Sequence, residues 1–89
     1  MRAVITVIGC DKIGIIAGVT AELANDNINI LNISQALMDN LFTMIMMIDM
    51  SECSQPFAEV SDRLKSCGQQ MGVEIRIQKE EIFDSMHRI

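Results

Sequence analysis

Apolar residues along this chain change period from two to about 3.6 and back, in the order strand, helix, strand, strand, helix, strand, and each change falls at glycine, proline, asparagine or aspartate. That order, βαββαβ, predicts an α+β fold, a ferredoxin-like sandwich in which an antiparallel four-stranded sheet carries two helices on one face. A further helical stripe after Lys79 predicts a short C-terminal helical tail. The expected organisation is one domain over residues 1–79 and a helical extension over 80–89.

Ala3, Ile5 and Val7 alternate with Val4, Thr6 and Ile8, which suits a central strand covered at least partly on both faces. After a turn at Gly9 to Gly14, Ile16, Val19 and Leu23 recur at helical spacing, with Glu22 and Asn25 on the far side. Gly18 inside that helix costs about 1 kcal/mol relative to alanine and is read as a place of close approach. Asn25-Asp26-Asn27 tolerate left-handed backbone angles and close the helix. From Ile28 onward the apolar side chains sit at Ile28 and Ile30, then switch parity to Leu31, Ile33 and Leu37. A strand follows that pattern only with a bulge or a change of covered face.

Asp39-Asn40 is a two-residue hairpin signal, and the returning strand sets Phe42, Met44, Met46, Ile48 and Met50 on one core face. Pro56 opens the second helix, whose stripe of Phe57, Val60, Leu64, Cys67 and Met71 runs to Gly72. On its outer face Glu59 stands four residues before Arg63, as on an ordinary solvated surface. Val73 to Gln78 alternates cleanly as the last strand. In the tail, Ile82, Phe83, Met86 and Ile89 form an apolar stripe. The sheet face away from the helices carries Val4, Thr6, Ile8, Thr43, Ile45 and Met47, so the tail is expected to fold over it, in its own subunit or the partner's; a frayed terminus is the alternative.

The chain has 89 residues, 49% of them hydrophobic, with a single proline and a mean hydropathy of +0.28, the composition of one compact folded domain. No apolar run reaches the roughly 18 residues of a membrane span, and no signal peptide is legible, so a cytoplasmic location is expected. Cys10, Cys53 and Cys67 are never spaced C-x-x-C, which argues against a disulfide framework, a zinc site or a redox motif. A net charge of −5 without a basic cluster, and no Trp or Tyr, speak against nucleic acid. His87 stands alone near the end, Ser34 and Ser85 lack a nucleophile context, and no metal-ligand motif is present. Neither an enzyme, nor a cofactor, nor a metal site is expected.

What remains is the turn. Asp11-Lys12-Ile13-Gly14 lies where a strand ends and a helix begins, so unpaired helix N–H groups point outward beside it. With Asn29 next to the turn, these groups and Lys12 can hold a carboxylate, while Asp11 and side-chain amides hold an ammonium. Two plainer roles compete: Asp11 as a helix cap and Lys12 as a solvated charge.

The run Thr6-Val7-Ile8-Gly9-Cys10-Asp11-Lys12-Ile13-Gly14-Ile15, the helix after it and Asn29-Ile30 resemble the ACT domain, a regulatory module that binds amino acids and related small ligands. The likeness covers residues 2 to about 79. It is strongest to the small stand-alone ACT-domain proteins of bacteria and archaea, an uncharacterised family, and looser to the ACT repeats of the glycine-cleavage-system transcriptional repressor. The resemblance implies a homodimeric, non-enzymatic sensor for an amino acid or similar metabolite, with a ligand site of Asp11, Lys12, Ile13, Gly14, Ile15, Asn29 and Ile30. It also allows a regulated protein partner. Serine-binding ACT domains read Asn-x-Pro-Gly in this loop. Here Asp11 stands at the asparagine and Ile13 where proline is common, which points to a different ligand or none and to a less preset turn. The rival reading is a protein interaction module with no small-molecule ligand.

Overall fold

The computed structural model describes residues 1–10 and 14–81. Its elements are β1 (Arg2–Cys10), α1 (Ile15–Asn25), β2 (Asn29–Met38), β3 (Leu41–Asp49), α2 (Phe57–Met71) and β4 (Glu74–Lys79). The four strands form one antiparallel sheet in the order β2-β3-β1-β4, which is the ferredoxin-like arrangement. β1 is flanked on both sides, and β2 and β4 are the edges.

The even positions of β3 and the odd positions of β1 meet across the ladder, as Ile5 with Met46 and Val7 with Met44, and point at the helices. Met44, Met46, Ile48, Ile5 and Val7 are inaccessible and join Val19, Leu23, Val60, Leu64 and Ile75 in one core. Fully burying a side chain of this size contributes about 1.5–3 kcal/mol, so this face is what drives the fold. β1 runs on through Gly9 and Cys10, two residues past the alternating stretch, and Cys10 pairs with Leu41 at the end of the strand rather than lying in the turn.

The inward face of α1 is Ile15, Val19 and Leu23, all buried, whereas Ile16 is 36% exposed. Ile15 and Ile16 both fit a helical period with Leu23. The helix starts directly after Gly14, at φ 91°, and that entry aims Ile15 inward. A Cβ on Gly18 would lie 2.9 Å from Met71 Sδ, so the glycine lets α1 and α2 close on each other. Asn27 (φ 61°) ends the α1 turn and Asp39 (φ 53°) makes the hairpin, each a residue type that tolerates left-handed backbone. Gly72 (φ 73°) closes α2 in the same way.

The register of β2 against β3 slips between Ile30 and Asn32, a bulge at Leu31 that accounts for the parity switch in its sequence. Past the bulge, Ile33 and Leu37 return to the helix side of the sheet yet remain 38% and 58% exposed, so the outer half of β2 overhangs the core. Arg63 is not simply solvated surface: its guanidinium donates to Asp26 Oδ1 at 2.6 Å, and Asp26 is the buried polar residue at the end of α1. The tail residues Ile82, Phe83, Met86 and Ile89 lie outside the described residues, as do Asp11, Lys12 and Ile13.

Candidate functional site

The expected site residues separate into two groups. Gly14 and Ile15 begin α1. Gly14 adopts a conformation that L side chains rarely take; among the described residues no atom beyond its chain neighbours lies within 4 Å of where its Cβ would be, and Gly14 itself has no side chain to cap the helix. The first-turn N–H groups of α1 therefore lack a side-chain acceptor from the cap residue, beside open space at Gly14. Ile15 is 2% exposed, so what it can offer a ligand is backbone. The intervening residues Asp11, Lys12 and Ile13 are not among those described.

Asn29 and Ile30 open β2 and line a cleft of about 530 Å³ together with Ala17, Thr20, Ala21, Ala24 and Ile28. Neither Gly14 nor Ile15 lines it. The wall from α1 is made of small side chains because Ala17, Ala21 and Ala24 fall on its outer face, and Thr20 is turned back onto the helix by donating to Ile16 O at 2.8 Å. The other wall is the start of the β2 edge, where Asn29 is exposed and Ile30 half-buried.

Sequence reasoning did not find the second cleft at the same place. About 390 Å³ in volume, it is lined by Asn27, Ile28, Asn29, Asp49, Ser51 and Glu52, so Asn29 and Ile28 divide an apolar hollow from a polar one. The Ser51 hydroxyl and then its N–H donate to Asp49 Oδ1, and these bonds hold the Asp49 carboxyl below its usual range. Asn27 Nδ2 donates to Glu52 O at 3.1 Å and fixes the loop that carries both. The signal for this hollow is long-range: Asn27 and Glu52 are 25 residues apart, and the register of β2 on β3, with the Ser54 N–H donating to Asp26 O at 3.0 Å, brings their loops together.

Residues 2–78 match the model of the ACT domain. The chain belongs to the ACT-domain family. ACT domains are usually regulatory modules that bind amino acids or other small ligands. Among relatives of this ACT domain, the UPF0237 protein of Listeria innocua is 52% identical over 89 residues, covering 100% of both chains. The solved ACT domain protein from Streptococcus pneumoniae is 40% identical, with a TM-score of 0.82 over 98% of each chain. A candidate glycine cleavage system transcriptional repressor is 26% identical, with a TM-score of 0.72 over 86% of this chain and 44% of its own. The stronger likeness to the small stand-alone proteins and the looser one to the repressor both agree with the sequence reading. Among the described residues of this ACT domain, no helix is long and apolar enough to cross a membrane, and no three His, Cys, Asp or Glu side chains gather as they would for a metal ion.

Proposed function

We propose that this protein is a non-enzymatic regulatory ACT domain that binds an amino acid, or a metabolite of similar size and charge, between two subunits. The observation that carries this reading is the position of Asn29, exposed at the unpaired β2 edge with the apolar cleft against α1 on one side. One chain supplies only part of the enclosure. A ligand site usually buries most of its ligand, and a second subunit set against β2 would supply the missing wall.

In this reading Lys12 and the first N–H groups of α1 receive the carboxylate, and Asp11 and the amide of Asn29 of the partner subunit receive the ammonium, because within one chain Asn29 starts β2 opposite Asp49, at the far end of the sheet from Gly14. The small side chains of Ala17, Ala21 and Ala24, with Ile30 opposite, leave room for an apolar portion of the ligand. The cheapest test follows the melting temperature while each of the twenty amino acids is added. A ligand present at 100 times its Kd adds about 2.7 kcal/mol. Asn29→Ala and Asp11→Ala should each weaken the ligand so found by about tenfold, as expected for one hydrogen bond to a charged group. Unchanged affinity in both would place the site elsewhere.

A second reading, an interaction module without a small ligand, is favoured by a separate observation. Leu31, Ile33, Leu37 and Met38 are all more than a third exposed along the same edge strand. A screen in which no amino acid shifts the melting temperature would turn the assignment to that reading.

A further inference from the structure

Opposite the helices, the sheet presents Val4, Thr6 and Ile8 of β1 in register with Met47, Ile45 and Thr43 of β3 and with Gln78, Arg76 and Glu74 of β4. Exposure along this face is uneven. Ile45 is 40% exposed and Ile8, between Thr43 and Glu74, is 37% exposed, as befits a bare sheet. Val4 has an equivalent place between Met47 and Gln78 and is 2% exposed. Yet Val4 is not part of the helix-side core, whose strand residues Ala3, Ile5 and Val7 point the other way, toward α1 and α2.

The chain leaves the sheet at this same corner. β4 ends at Lys79, which pairs with Ala3, and Glu80 then meets Arg2 across 3.6 Å. Residues 82–89 follow, with Ile82, Phe83, Met86 and Ile89 at helical spacing. From β4 over β1 to β3 is two strand spacings, roughly 9.5 Å. Eight residues of helix span about 12 Å, enough to cross Val4 and reach Met47, but Ile8 lies roughly 13 Å further along the strand. The reach of the tail and the gradient of exposure coincide.

We propose that residues 82–89 dock over the Val4 and Met47 end of the helix-free face of their own chain, with Phe83 and Met86 against Val4. The tail then shields one end of an apolar face and leaves Ile8 and Ile45 open. Two variants of the full chain test this: a stop after Glu81, which keeps the Glu80 and Arg2 pair, and Phe83→Asp, which keeps the length. The direct readout is methyl NMR of the intact protein. Cross-peaks between the Val4 methyls and the Phe83 ring within one chain are expected, and both variants should move the Val4 resonances and lower the melting temperature by about 4–8 °C or more. Cross-peaks seen only between differently labelled subunits would overturn docking within one chain. Val4 resonances unmoved by either variant would overturn the docking itself.

Discussion

At the scale of single residues, the pairing of the buried Asp26 with the half-buried Arg63 is the clearest case of an interaction that local patterning does not reveal. The two are 37 residues apart, and Arg63 has a nearer acidic neighbour at Glu59 on its own helix. The Asp26 side chain is 6% exposed and that of Arg63 38%, so removing the arginine leaves a carboxylate buried without its partner. Asp26→Ala and Arg63→Ala should each cost about 1.5–3 kcal/mol in chemical denaturation, and the double variant should cost less than their sum. Additive losses would mean that the pair contributes nothing beyond packing. Cysteine chemistry follows the same logic of place. Cys10 is exposed at the end of β1, whereas burial, and then the nearby Glu22 carboxylate, push the half-buried Cys67 thiol up. An alkylating reagent at neutral pH should therefore modify Cys10 before Cys67, as read by mass spectrometry; the reverse order would contradict this geometry. For Asp49, the Ser51 bonds favour the charged form and lower its pKa in the folded state. The stabilisation is present above the ordinary value of 3.8 and is lost as the pH falls through the lower, folded value. Ser51→Ala should return the Asp49 titration, followed by carbon NMR, toward 3.8.

At the scale of elements, most of the architecture is legible because each boundary has a local cause. Pro56 and Gly72 bracket α2, Asp39 turns the hairpin, and the parity switch in β2 marks the bulge before any register is known. Two things were not legible. The inward residue of α1 depends on the backbone angle at Gly14, which a periodic pattern with two adjacent isoleucines leaves open. The overhang of β2 depends on how far α1 reaches across the sheet, a matter of layer geometry and not of alternation. As for the candidate site, the sequence set Asn29 beside the turn before α1, whereas within one chain β2 starts at the far end of the sheet from Gly14; the alanine wall of the cleft was not legible either, since small exposed residues carry no hydrophobic signal. The overhang bears on assembly. β2 is an edge strand without proline or lysine whose Ile33, Leu37 and Met38 stay exposed, the kind of edge that pairs with another strand. Light scattering at micromolar concentration should give a dimer, and Ile33→Lys should give a monomer. A wild-type monomer, or an unaffected dimer in the variant, would move the interface away from β2.

At the scale of the whole molecule, the proposed ligand site and the proposed dimer edge share β2, so they cannot be independent. Asn29 lines the cleft, and Leu31 and Ile33 follow it directly on the strand that a partner would cover. If the second subunit supplies a wall of the site, ligand is held more tightly by the dimer than by the monomer, and linkage requires the ligand to tighten the dimer by the same factor. A dilution series by analytical ultracentrifugation, run with and without an amino acid that raises the melting temperature, measures that factor. A coupling of 1–3 kcal/mol, typical of such linked sites, lowers the dimer dissociation constant by about 5- to 150-fold. Ile33→Lys should then lose ligand affinity although it leaves Asn29 and the α1 turn in place. An unchanged dissociation constant, together with full affinity in the monomeric variant, would show that each chain binds its ligand alone and that pairing at β2 serves another purpose.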